Sequence, residues 1–221
     1  MEFDTATLEI LSNFSTINPS LRFTKGTILR TVSPQGTILA KASIPDTIDD
    51  TFVIGDLKRF MSALSLFETP EIEIKENYCV LVGGNNRLEY VFTSPQLIKK
   101  FPPENDLKLK NIYVAFTMTN VMLQSIKKAM AILSIQEMAI IGRDGHMKIS
   151  AFDNTGMTKD NYAINVAETD KEFQVVIRGE DLKLLPLDYE VEISSDGLMS
   201  LRNPKIQYWI ASVEENTKFD V

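Results

Sequence analysis

Apolar residues recur along this chain in two rhythms, and the switches between them outline its elements. Over 119–133, Met122, Leu123, Ile126, Ala129, Met130 and Leu133 keep the three-and-four spacing of one buried helical stripe, and Gln124, Lys127, Lys128 and Ala131 occupy the opposite face. A shorter helix is predicted over 56–66, with Leu57, Phe60, Met61 and Leu64 inward and Lys58, Arg59 and Ser62 outward. A first amphipathic helix exposes Glu9, Ser12 and Asn13 and contains no lysine or arginine. Period-two alternation marks strands: Glu71 and Glu73 alternate with Ile72 and Ile74, and Glu190 and Glu192 with Val191 and Ile193.

The same order of elements occurs twice: helix, hairpin, a strand running into a second helix, then another hairpin. Phe52-Val53-Ile54-Gly55-Asp56-Leu57 is answered by Val175-Val176-Ile177-Arg178-Gly179-Glu180-Asp181-Leu182, and Glu71-Ile72-Glu73-Ile74 by Glu190-Val191-Glu192-Ile193. Glu89-Tyr90-Val91-Phe92-Thr93-Ser94 is answered by Gln207-Tyr208-Trp209-Ile210-Ala211-Ser212, so an aromatic-rich strand closes each unit. This predicts an α+β chain of two tandem domains. Between the copies, Pro95, Pro102 and Pro103 forbid continued ladder pairing. The boundary is placed in this connector near Asp106, giving domains 1–106 and 107–221. Asp144-Gly145 and the run Gly83-Gly84-Asn85-Asn86 suit tight hairpin reversals. The paired glycines do not form a phosphate loop, because no helix N-terminus follows them.

Charge sharpens the picture through its placement. The 221 residues are 44% apolar, ordinary for a globular protein, and carry a net charge of −7. That sum argues against a surface that grips nucleic acid everywhere. Yet past their caps the helices over 56–66 and 119–133 have basic outer faces without acids, and the acids collect on strands. A short fourth helix is expected to offer Lys183 behind Asp181, with Arg178 and Lys159 near enough to join the same surface. If the sheets lay their apolar faces on the helices, the helices form a basic layer opposite an acidic one.

Candidate chemistry subtracts rather than adds. One histidine, His146, placed on a probable turn, and one cysteine, Cys79, in an alternating strand, leave no triad, no disulfide framework and too few ligands for an ordinary zinc site. Asp46, Asp49 and Asp50 cluster in an expected loop too local to flank a substrate, and they lack the glycine and closing glutamate of a calcium loop. No enzyme, metal or cofactor is expected. No apolar run reaches the ~20 residues of a membrane span, and the start MEFDTATLEI lacks the features of a signal peptide, so a cytoplasmic protein is expected.

With these residues in place, the chain resembles the DNA polymerase sliding clamps of T-even-type tailed bacteriophages over nearly its whole length. The resemblance rests on the run from Asn13 through Phe14, Ser15, Thr16 and Ile17 to Asn18, on Asp56-Leu57 followed by Phe60 and Leu64-Ser65-Leu66, and on Leu182-Lys183 followed by Pro186 and Tyr189. It implies a processivity factor without catalytic activity. The implied assembly is a closed homotrimer of two-domain subunits, with helices lining the inner face of a ring and antiparallel sheets outside. It also implies double-stranded DNA bound without sequence preference, a replicative polymerase and other tail-bearing partners, an ATP-dependent clamp loader, and late-transcription factors, all in the host cytoplasm. Lys58, Arg59, Lys127, Lys128 and Lys183 would then face DNA, helped by Lys159 and Arg178. In that family the first helix commonly adds a basic residue, and Ser12 stands in its place here. The edge of the closing strand, with Leu88, Tyr90, Val91 and Phe92, would pair with a neighbouring subunit's 162–167, carrying Tyr162, Ile164 and Val166. Leu97, Ile98 and Phe101, apolar in a polar connector, would either dock partner tails or staple the connector down. The alternative is a duplicated-domain assembly protein with no DNA role, which has no reason to gather its cations on helix faces.

Overall fold

In the computed structural model, residues 1–153, 156 and 160–220 are described. The chain divides into two compact units, 1–104 and 105–221.

The first unit opens with α1 (Thr5–Ile17), started by Asp4, whose carboxylate accepts from the Ala6 N–H at 2.7 Å. Ile10, Leu11, Phe14 and Ile17 are buried along one face. Asn13, expected outside, is buried as well. The helix stops at Asn18, whose side-chain amide donates to the Val32 carbonyl at 2.7 Å, and Pro19 follows. β1 (Leu21–Phe23) pairs antiparallel with β4 (Phe52–Ile54), and β2 (Gly26–Val32) with β3 (Ile38–Ile48). β3 includes Asp46, so the expected aspartate loop is shorter than its sequence suggests. Phe23 stacks on Phe52 at 4.5 Å between centroids and meets Phe60 edge-on. α2 (Leu57–Leu64) is capped by Asp56, which accepts from the Arg59 N–H at 2.9 Å. The unit closes with the antiparallel meander β5 (Glu71–Ile74), β6 (Tyr78–Gly83) and β7 (Asn86–Val91). In β5 the glutamates are exposed and Ile72 is buried, as alternation requires. Cys79 on β6 is buried, and burial pushes its thiol up to about 11, which keeps it protonated and unreactive.

The second unit begins with β8 (Ile112–Met118), which leads into α3 (Asn120–Leu133). Thr119 caps α3 by accepting from the Met122 N–H, and Asp188 accepts from the Asn120 N–H at 2.6 Å. Two acceptors thus satisfy N–H groups that an isolated helix leaves orphaned. The stripe Leu123, Ile126, Ala129 and Met130 is buried, with Met122 and Leu133 at its half-buried margins. β9 (Glu137–Arg143) and β10 (His146–Phe152) form a hairpin whose turn residues Asp144 and Gly145 both have positive φ, at 53° and 82°. His146 is therefore the first residue of a strand. One sheet runs β11 (Ala163–Glu168), β10, β9, β12 (Phe173–Arg178) and β16 (Lys218–Phe219). The other contains β8, β13 (Tyr189–Ser194), β14 (Leu198–Arg202) and β15 (Ile206–Ala211), each antiparallel to the next. β8, a run rich in β-branched and aromatic residues, and the two-residue β16 add to the strands marked by alternation in the sequence.

The fourth helix is not formed. After β12 the chain makes one 3-10 turn (Gly179–Asp181) and then runs irregularly to Pro186. Two tyrosines replace the helical hydrogen bonds: the Leu185 N–H donates to the Tyr208 hydroxyl at 3.2 Å, and the Tyr189 hydroxyl donates to the Leu185 carbonyl at 2.8 Å. Pro186 also disfavours the α conformation at Leu185. Lys183 consequently lies half-buried on an extended segment rather than on a helix face.

Candidate nucleic-acid interface

α3 has Lys127 and Lys128 on its outer side and no acidic residue along its length, and α2 likewise has Lys58 and Arg59 and no acid. The four are not equivalent. Lys58 and Lys128 are exposed. Arg59, also exposed, holds its guanidinium 5.8 Å above the Tyr90 ring, and the Tyr90 hydroxyl donates to the Asp56 carbonyl at 3.1 Å. Arg59 thus lines a cleft of about 530 Å³ between α2 and β7, together with Tyr90 and Val91. Lys127 is half-buried, and desolvation holds its amine below the ordinary lysine range.

Arg178 ends β12 opposite Glu137 on β9. Burial raises the Glu137 carboxyl, and the nearby Arg178 lowers it in part. Arg178 is therefore half of a local charge pair rather than a free cation. Lys183 is on the segment just described, and Lys159 lies outside the described residues. On α1, Glu9 and Ser12 are exposed, so this helix offers an anion nothing attractive.

Among the described residues, β7 pairs only with β6 and β11 only with β10. Each therefore presents an open ladder edge. Val91 is exposed, Leu88 and Tyr90 half-buried, and Phe92 follows the end of β7, stacked on Phe52 at 4.8 Å. On β11, Ile164 and Val166 are half-buried, and Tyr162 precedes the strand, its carbonyl accepting from the Ala151 N–H. In the connector, Leu97 is 73% exposed and Ile98 half-buried. Phe101 is half-covered, with the Arg22 guanidinium 4.5 Å over its ring. The structure thus staples Phe101 and leaves Leu97 open. The sequence reading passed over Val121 and Ile132, aliphatic residues on α3 that are 74% and 70% exposed. Their only signal is that both fall outside the buried stripe.

This arrangement of two units, each laying helices or a turn against antiparallel sheets, matches solved structures. It aligns with proliferating cellular nuclear antigen from Entamoeba histolytica at a TM-score of 0.70 and 9% identity, covering 96% of this chain and 97% of that one. The fold is that of the DNA sliding clamps. A family model described as gp45 sliding clamp, C terminal, matches residues 115–214, and one described as DNA polymerase processivity factor matches residues 4–82. A sliding clamp of Vibrio phage KVP40 is 28% identical over 218 residues, spanning 96% of this chain and 99% of the relative. A sliding clamp of Escherichia phage RB69 is 25% identical over 229 residues, spanning 98% and 99%. The chain belongs to the gp45-type sliding clamps of bacteriophages, non-enzymatic processivity factors for DNA polymerase.

Proposed function

We propose that this chain is one subunit of a homotrimeric ring that encircles duplex DNA in the host cytoplasm and tethers the replicative polymerase, with α2 and α3 turned toward the phosphates. The observation that carries the reading is the outer side of α3, where two adjacent lysines stand on an acid-free helix of a chain whose net charge is −7. Lysines opposite phosphates attract DNA through counterion release, which is strong in sum, indifferent to sequence and weakened by salt. Such contacts hold the ring without fixing its register, so it slides. A polymerase tail held on the ring stays at high effective concentration beside the primer end, and dissociation becomes a local, reversible event.

Ring closure is assigned to the open edges, β7 of one subunit pairing with β11 of the next. Such a head-to-tail contact closes when the rotation per subunit is one third of a turn. Loading by an ATP-driven clamp loader, and docking of polymerase and late-transcription tails near Leu97 and Ile98, complete the reading.

The test reverses Lys127 and Lys128 to Glu and compares polymerase product length on a long primed template at two salt concentrations, with ring concentrations matched. Shorter products are expected, with the deficit largest at the lower salt, where the phosphate contacts of the wild type are strongest. Products as long as wild type at both salts would make these faces ordinary solvated surface, as in an assembly protein without a DNA role.

A further inference from the structure

Arg22 is a cation without an acid. It stands on β1 opposite Val53, between the buried Leu21 and Phe23, so the backbone beneath it is fixed. Its guanidinium lies 4.5 Å over the Phe101 ring, and its Nε is buried with no hydrogen-bond partner. Among the described residues no carboxylate forms an ion pair with it, although the chain carries 30 acidic residues against 23 basic ones. A buried donor left unpaired in so acidic a chain calls for a physical reason.

The surroundings favour an anion. The run 90–103 contains no acid, and Lys99 and Lys100 stand exposed on it. Phe101 covers one face of the guanidinium, whereas a carboxylate engages the planar N–H fork along its edge, through paired charge-assisted hydrogen bonds. The ring and the anion therefore do not compete. Leu97, 73% exposed, stands four residues before Phe101, at most about 14 Å along the backbone, a span within reach of a short extended tail. A chain terminus holds its carboxylate one bond from its last Cα. An apolar tail can thus lie on the connector and still present its charge to the fork.

Resting on the reading that partner tails dock near Leu97 and Ile98, we infer that Arg22 reads the free C-terminal carboxylate of such a tail, with the Phe101 ring fixing the plane of the guanidinium.

In the experiment the whole protein is titrated with a peptide copying the C-terminal tail of the replicative polymerase, made once as the free acid and once as the C-terminal amide. Affinity is measured by fluorescence anisotropy. Wild type is expected to bind the acid about fivefold more tightly than the amide. Arg22→Gln is expected to bind both forms alike, and Arg22→Lys to restore only part of the preference, because an ammonium lacks the fork. A connector loosened by the substitution would weaken both forms by the same factor, so the ratio of acid to amide isolates the carboxylate contact. Equal affinities of wild type for the two forms, or a preference that survives Arg22→Gln, would overturn the proposal. Leu97→Ala is expected to weaken both forms alike and preserve their ratio. Full affinity in that variant, with the ratio kept, would move the tail off Leu97 and leave Arg22 as the carboxylate's partner. No binding of either form to wild type would overturn both the docking reading and the inference drawn from it.

Discussion

The closing strands of the two units descend from the same pattern and meet different fates. Val91 on β7 and Trp209 on β15 occupy matching positions, yet Val91 is 71% exposed and Trp209 only 2%. Trp209 is also anchored by its indole N–H, which donates to the Leu107 carbonyl at 3.1 Å. The neighbouring pair behaves the same way: Tyr90 is half-buried against Phe60, whereas Tyr208 is fully buried against Tyr189. A duplicated pattern of aromatic and aliphatic residues therefore records that a strand has an apolar face. It does not record what covers that face. In the second unit the chain's own residues do so, and in the first Val91 stays exposed.

The most drastic way to break this comparison is to charge the open strand. Replacing Tyr90 and Val91 with glutamate is expected to drop the mass in solution from about three times the 24.9 kDa chain mass to that of single chains, read by light scattering. A mass unchanged by the double variant would detach β7 from ring closure.

Cavity formation separates the strands next. Trp209→Ala should cost about 3–5 kcal/mol in chemical denaturation, whereas Val91→Ala, measured below the concentration at which rings form, should cost less than about 0.5 kcal/mol. Similar losses would mean that β7 is as well buried in the lone chain as β15.

A smaller effect tests why α2 has no helical counterpart. Tyr208→Phe removes the acceptor of the Leu185 N–H and leaves that buried donor unpaired, at a cost of about 1–3 kcal/mol. Faster amide exchange confined to 182–187 would show the tyrosine holding the extended segment. Uniform loss of protection across the unit would instead assign the effect to general packing.

The mildest test concerns Cys79. Burial pushes its thiol from the ordinary 9.0 up to about 11 in the folded chain, so its ionisation favours the unfolded chain. That contribution to stability is complete below about pH 9 and is lost as pH rises toward 11, with a slope approaching about 1.4 kcal/mol per pH unit. Cys79→Ala should flatten the stability profile of the first unit in this window, followed by urea denaturation. Equal slopes for variant and wild type would show that the thiol ionises within the fold.

Several features of the fold and the interface can be read directly from residues. The stripe through Leu123, Ile126 and Met130, with Thr119 ahead of it, determines α3 and which of its sides faces outward. Asp56 and the spacing of Leu57, Phe60 and Leu64 do the same for α2. Asp144-Gly145 determines the β9–β10 reversal, because two consecutive positive φ angles suit few other pairs. These signals are local: each depends on backbone geometry within a turn or two of the residues that carry it. Tertiary structure alone decided the rest. Asn13 shares the polar arc of α1 with Ser12, yet it is buried, because burial is set by distant elements packed on the helix. The run Gly179 to Leu182 mirrors the start of α2, yet it ends after one turn, because Tyr189 and Tyr208 supply hydrogen bonds that compete with a helix. Lys127 and Lys128 are indistinguishable as letters. One is half-buried because the segment after β12 comes to rest beside it, and a contact made across more than fifty residues leaves no trace in the local pattern.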